Sequence, residues 1–189
     1  MTGHEELIGR CRKKDPRAEY ALYKCCFNPL MRICARYTRN EDDAAALLNK
    51  GFLKILNSLD RYDPAQRFET WIKTIMVNTI IDEFRSGRAY SGMFLVQDVE
   101  QMPGAGHPVD VNAAEDKLGV EEILEQVRKL PEPGLQVFNL FVFEGRSHKE
   151  IGEALGMPES TSRWHLATAR AFLKKKLSAM LTAIKVVVL

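Results

Sequence analysis

Apolar residues recur every three or four positions along most of the chain, and strand-like alternation persists nowhere. Asp15-Pro16 is a cap followed by a first-turn proline, and Ala18, Leu22, Cys25, Pro29, Ile33 and Tyr37 then share a face. Asn28-Pro29 is predicted to kink or break that run. Asn40 is a second cap, with Glu41, Asp42 and Asp43 in a first turn where the helix dipole favours acids. Its stripe is Ala44, Leu47, Leu48, Phe52, Ile55, Leu56 and Leu59. After a turn at Tyr62-Asp63-Pro64, a third helix carries Phe68, Trp71, Ile72, Ile75, Met76, Thr79, Ile80 and Phe84, ending near Ser86-Gly87. Residues 87–116 hold Gly87, Gly92, Pro103, Gly104, Gly106 and Pro108 without a helical period, too long a stretch for a loop within one compact domain. Helices resume near Lys117, where Leu118, Ile123, Val127 and Leu130 share a face that Pro131-Glu132-Pro133 ends. A short apolar helix follows over 134–143. Ser147 then caps a helix to Leu155, with Glu150 completing a capping box. Gly156-Met157-Pro158 breaks the chain, and a last helix runs from about Pro158 past Lys176. The expected fold is all-α: two small helical domains, 1–88 and 118–189, joined by a flexible acidic linker, 89–117, with a helix-turn-helix in the second.

The 189 residues are 46% hydrophobic and 28% charged, a globular composition with enough apolar content for a core. The formal net charge is only +2. It conceals an asymmetry: residues 10–39 hold nine basic and two acidic side chains, 97–126 one basic and eight acidic, and 146–176 seven basic and three acidic. Basic blocks at both ends suggest polyanion contact, although helical surfaces are commonly charged in any case. No run of about 18 apolar residues suits a membrane span, and the N-terminus lacks a signal-peptide pattern, so no membrane insertion and a cytoplasmic location are expected.

Residues 147–173 have helix-turn-helix spacing. Ile151, Ala154 and Leu155 face inward, Gly156 supplies a left-handed turn residue, and Leu166, Ala169 and Leu173 bury the second helix. The outer face then shows Ser160, Thr161, Arg163, Trp164, His165, Ala167 and Arg170, the short polar and basic set that a helix in the major groove needs. Arg146 and Lys149 precede it, where phosphate anchoring is expected. A helical hairpin with a basic exposed helix would show the same pattern.

These residues resemble a known family. Leu130-Pro131-Glu132, Val137-Phe138, the string from Glu144 through Gly156, Thr161 and Ala169-Arg170 look like the C-terminal domain of bacterial sigma factors. Leu22-Tyr23, Arg36-Tyr37, Asn40, Asp43-Ala44 and Phe52-Leu53-Lys54 look like the family's core-binding domain, as do Phe68 through Ile72, Ile75, Asn78, Ile81-Asp82 and Arg85. The short length matches the extracytoplasmic-function (ECF) group of the sigma-70 family.

The resemblance implies a role in promoter recognition, melting and transcription initiation. The partners implied are core RNA polymerase (the beta-prime clamp helices and the beta flap), promoter DNA and an anti-sigma factor. Asp43, Leu47, Asn49 and Lys50 fall on the surface that docks on the clamp helices. There the sequence departs from the family: where many members carry Glu-Asp-Leu-x-Gln-Glu, it has Ala45-Ala46-Leu47-Leu48-Asn49-Lys50. Arg61 to Arg67 resembles the loop that captures a flipped base, a task that wants hydrogen-bond donors beside an apolar wall such as Tyr62 and Phe68. Asn78, Asp82, Arg85 and Arg88 fall on the face that meets the minus-ten element, although Asp82 and Arg85 would also make a plain surface ion pair. Trp71 serves either the core or base stacking. Arg146, Lys149, Ser160, Thr161, Arg163, Trp164, His165 and Arg170 would meet the minus-thirty-five element, with Trp164 in place of a small residue and Thr168 in place of an Arg.

The acidic linker would thread the polymerase as a strand mimic, with Met93-Phe94-Leu95-Val96 as an anchor, or act as a solvated tether. Cys11, Cys25, Cys26 and Cys34 lack a Cys-x-x-Cys pair, so buried thiols are expected rather than zinc, and no cofactor. No combination of nucleophile, base and orienter stands out, which disfavours an enzyme. The apolar tail from Met180 to Leu189 extends the last helix or meets a partner. Two other readings remain: a sigma-like module that binds a regulator without promoter activity, and a stand-alone helix-turn-helix repressor.

Overall fold

The computed structural model describes residues 3–91 and 119–187, with side chains over 5–87 and 119–180. The predicted linker beyond Ser91, including Met93 to Val96, lies outside the described residues, as do the Arg88 side chain and the tail side chains after Met180. Among the described residues the secondary structure is helical throughout, without a strand. The chain divides into two compact units, Met1–Ser86 and Gly87–Leu189.

The first unit opens with α1 (Gly3–Arg12), a helix absent from the sequence expectation. Its buried residues are Ile8 and Cys11, too few for a stripe to show in the sequence. The Arg12 guanidinium fastens it, donating to the Leu59 carbonyl at 2.8 and 3.1 Å and to the Tyr62 carbonyl at 3.3 Å. Helix α2 (Pro16–Tyr37) begins where Asp15 Oδ1 accepts the Arg17 and Ala18 amides, and it runs unbroken through Pro29. Pro29 is exposed, as is Cys25, whose carbonyl loses the Pro29 amide, so water can take the missing bond's place. The buried face also differs from the expected one. It runs through Cys26 and Leu30, with Cys25 and Pro29 outward.

Helix α3 (Glu41–Ser58) starts as expected, Asn40 Oδ1 accepting the Asp43 amide at 2.7 Å. It buries Ala44, Leu48, Gly51, Phe52 and Ile55, and Leu47 and Leu56 are half-buried. Gly51 permits close contact with α4 (Phe68–Ser91), since a Cβ there would lie 2.1 Å from Met76 Cε. A 3-10 turn, Leu59–Arg61, and the loop 62–67 link the two helices. Helix α4 runs to Ser91, past the expected stop at Ser86-Gly87. Gly87 costs a helix about 1 kcal/mol, which the Arg and Ala that follow, both strong helix formers, help to offset.

The second unit contains α5 (Val120–Arg128), α6 (Glu132–Val142), α7 (His148–Leu155) and α8 (Glu159–Val187). Pro131-Glu132-Pro133 also opens α6, because proline's fixed φ and missing amide suit a first turn. Val127, Leu130, Leu135, Ala169 and Leu173 form a core, with Phe138, Phe172 and Leu177 against it.

Candidate nucleic-acid interface

Local chemistry builds the turn between α7 and α8. Ser147 Oγ and its amide both donate to the Glu150 carboxylate, at 2.7 and 2.8 Å. These bonds hold the Glu150 carboxyl below its ordinary pKa. Gly156 ends α7 at φ 66° and ψ 43°, the left-handed conformation expected there. Gly152, which the sequence reading did not single out, is equally demanding: a Cβ on it would lie 2.7 Å from the Met157 carbonyl oxygen, a backbone atom. The Met157 amide in turn donates to Gly152 O at 3.0 Å.

Helix α8 buries Leu166, Ala169 and Leu173 as expected and exposes Ser160, Arg163, Trp164, Ala167 and Arg170. Thr161 and His165 are half-buried, less open than expected, and the His165 ring meets Trp164 edge-on at 4.8 Å. Trp164 keeps 39% of its surface, a large apolar face between polar neighbours. Arg163 pairs with Glu159 one turn back, which offsets part of its charge. Lys149 is exposed and Arg146 half-buried, both ahead of α8 in the chain.

Sequence reasoning missed the polar contact between these helices. Ser162 is fully buried, and its Oγ lies 3.0 Å from His148 Nδ1. The His148 ring stacks on Phe141 at 4.8 Å, and the Arg170 guanidinium lies 5.5 Å from the centre of the same ring. Burial first, and then Arg163, push the His148 pKa below its ordinary value. The signal available was the placing of Ser162 on the apolar side of an amphipathic helix.

In the first unit, Asn78, Asp82 and Arg85 are exposed at helical spacing on α4. Asp82 pairs with Lys54 at 2.8 Å, in place of the considered pair with Arg85, which has no ion-pair partner among the described residues. Arg61 and Arg67 are exposed at the two ends of their loop. The apolar wall expected beside them faces the core. Tyr62 and Phe68 are buried, their rings 5.4 Å apart, and Trp71 packs on Tyr62 at 5.1 Å. Three rings bury more apolar area together than an open pocket would leave them. The Tyr62 hydroxyl closes the loop by donating to the Gln66 carbonyl at 2.8 Å.

On α3, Asp43 takes part in the cap through Asn40 Nδ2 at 2.8 Å, and Asn49 Oδ1 accepts from the Tyr23 hydroxyl at 3.1 Å. Lys50 pairs with Glu83 at 2.6 Å. Leu53, absent from the sequence-based set, stands 59% exposed on this surface. Cys11, Cys26 and Cys34 are buried free thiols, whereas Cys25 is exposed. Burial pushes Cys26 and Cys34 up to about 12. No helix among the described residues is long and apolar enough to cross a membrane.

Fold and site together define a two-unit helical protein whose second unit carries a helix-turn-helix with a basic exposed second helix. Residues 22–90 match the family description Sigma-70 region 2, and residues 120–173 match Sigma-70, region 4. The ECF RNA polymerase sigma-E factor of Haemophilus influenzae is 24% identical over 183 residues, covering 94% of this chain and 96% of its own. The ECF RNA polymerase sigma factor SigW of Bacillus subtilis is 25% identical over 181 residues, covering 92% and 96%. Among solved structures, the sigma factor RpoE from Bartonella quintana, crystallised with the anti-sigma factor NepR, aligns at 18% identity over 84% of this chain and 97% of its own, with a TM-score of 0.47. The chain belongs to the sigma-70 family of RNA polymerase sigma factors, in its ECF group.

Proposed function

We propose that this chain binds core RNA polymerase and directs promoter recognition, melting and initiation. The observation that carries this reading is the ordered match of region 2 and region 4 along one chain, the first at positions almost wholly in the first compact unit and the second within the second. The α3 surface of Asp43, Leu47, Asn49 and Lys50, with exposed Leu53 added, docks on the beta-prime clamp helices. Arg61, Arg67, Asn78, Arg85 and Arg88 meet the minus-ten element, and Asp82 holds Lys54. Arg146 and Lys149 anchor phosphates while Ser160, Thr161, Arg163, Trp164, His165 and Arg170 face the minus-thirty-five element. The second unit also engages the beta flap, and an anti-sigma factor holds the protein in check in the cytoplasm. The domain layout proposed is 1–88, 89–117 and 118–189.

The test is reconstituted transcription with core polymerase and a promoter library. Initiation restricted to a promoter subset, and only when this chain is added, supports the reading. Absence of both initiation and polymerase binding favours the regulator-binding module, which the altered docking residues Ala45, Ala46 and Lys50 motivate. Tight duplex binding without polymerase favours a repressor.

A further inference from the structure

We propose that His148 is a positioning residue for promoter reading: through Ser162 it sets the rotation of α8, and through Phe141 it sets the place of the Arg170 guanidinium. The proposal rests on the reading of α8 as the promoter-facing helix.

The apolar face of α8 does not fix its rotation alone. Contacts of Leu166, Ala169 and Leu173 are non-directional and survive a small roll of the helix. A hydrogen bond is directional, and a buried hydroxyl without a partner is costly. Ser162 is fully buried and sits between Thr161 and Arg163, two of the side chains assigned to DNA. Each helical step turns about 100°, so drawing Ser162 toward His148 Nδ1 fans its neighbours to either side. His148 is the first residue of α7, a helix fixed by its capping box and by the left-handed turn at Gly156. The bond therefore ties the reading helix to a helix capped at both ends. The ring of His148 lies on Phe141 of α6, and Arg170, two turns beyond Arg163, lies against that same ring. Side chains from α6, α7 and α8 thus meet at one histidine.

Charge on the ring is disfavoured by its surroundings and not by the bond itself, since Ser162 Oγ can accept from a protonated Nδ1. The charged groups acting on His148 are Arg163, Arg170 and Glu159, all on α8, two positive and one negative. A proton on His148 adds a third cation to that group and leaves both ring nitrogens as donors. Upstream-element preference should therefore relax as pH falls below the ordinary histidine pKa of about 6.5, under which burial and Arg163 hold the His148 pKa.

The experiment uses the full chain with core polymerase and a promoter pool randomised in the upstream element. Promoter ranking is read between pH 5.5 and 7.5, so that each pool serves as its own control. Ser162→Ala and His148→Phe, which keeps a ring against Phe141, should each reorder the ranking, and the double variant should reorder it no further. The pH dependence of the ranking should vanish in His148→Phe. His148→Gln, which retains a hydrogen-bonding group but no ring, should restore the part of the ranking set beside Ser162, without the pH dependence, and leave the part set through Phe141 and Arg170 altered. In the free protein, amide exchange over residues 162–166 should rise several-fold in both single variants. If Ser162→Ala does not fold, Ser162→Cys, close to serine in size, replaces it.

Unchanged ranking together with unchanged exchange overturns the proposal, as does a lower melting temperature with all promoters reduced alike. If exchange responds but the wild-type protein shows no upstream preference, the pin between α7 and α8 stands and the assignment of α8 as reader falls.

Discussion

At the scale of single residues, exposure separates the proposed roles. Arg163 lies on the open face of α8, and its pairing with Glu159 is an exposed i,i+4 contact worth only about 0.3–0.5 kcal/mol, so DNA can displace it. Arg163→Ala should change which upstream sequences are used, because a lost base contact costs about 1–3 kcal/mol at that pair alone. Lys149→Ala should lower use of all sequences and reduce the salt slope by about one. Initiation from a randomised upstream element at two salt concentrations checks both, and uniform scaling by Arg163→Ala would make it a backbone anchor. Gly152→Ala should destabilise the second unit by about 1–3 kcal/mol, because the atom in the way is the Met157 carbonyl, which only a backbone shift can clear. A thermal melt measures it, and a loss under about 0.5 kcal/mol would mean the turn is softer than drawn. Glu150 gives a pH dependence. Its folded pKa is lowered by bonds from Ser147, so its contribution is present above the ordinary carboxylate pKa of about 4.3 and is lost as pH falls through the lowered value. Glu150→Gln should flatten that part of an acid unfolding curve while leaving the neutral-pH fold in place.

At the scale of elements, the sequence was most legible where a cap or turn residue acts on its own neighbours. Asp15, Asn40, Ser147 and Gly156 all act where their spacing placed them, because a cap is a contact within three or four residues. Reading failed where packing chose the outcome. Among its described side chains helix α1 buries Ile8 and Cys11, and α2 turned Cys26 and Leu30 inward in preference to Cys25 and Pro29. Helix α4 passed Gly87 because a lone glycine costs a helix less than its neighbours return. The same limit applies to charge. Lys50 reads as a departure from an acidic docking motif, yet it pairs with Glu83 of α4. Lys50→Glu should therefore lower stability by less than about 1 kcal/mol through like charges, with Glu83→Lys restoring it, and should leave polymerase binding intact. Binding abolished with the fold preserved would overturn the docking surface.

At the scale of the whole molecule, each compact unit holds its own buried cluster, around Leu22, Leu30, Leu48, Ile55 and Met76 in one and Val127, Leu130, Leu135, Ala169 and Leu173 in the other. Fragments 1–91 and 119–189 should each fold, with melting transitions matching two steps in the full chain. A fragment that stays unfolded alone would show that its core needs the other unit. By itself the sequence determined the all-helical class, the caps, the tight turn of the helix-turn-helix and most of the exposed positions on the outer face of α8. Each of these depends on periodicity or on contacts a few residues apart. Tertiary structure alone decided that Tyr62 and Phe68 face the core, that Asp82 takes Lys54, that Gly51 lies against the Met76 side chain, and that Ser162 meets His148. Those outcomes join residues distant in the chain or compete for the same buried space, and helical spacing along one segment carries no information about what the facing helix presents.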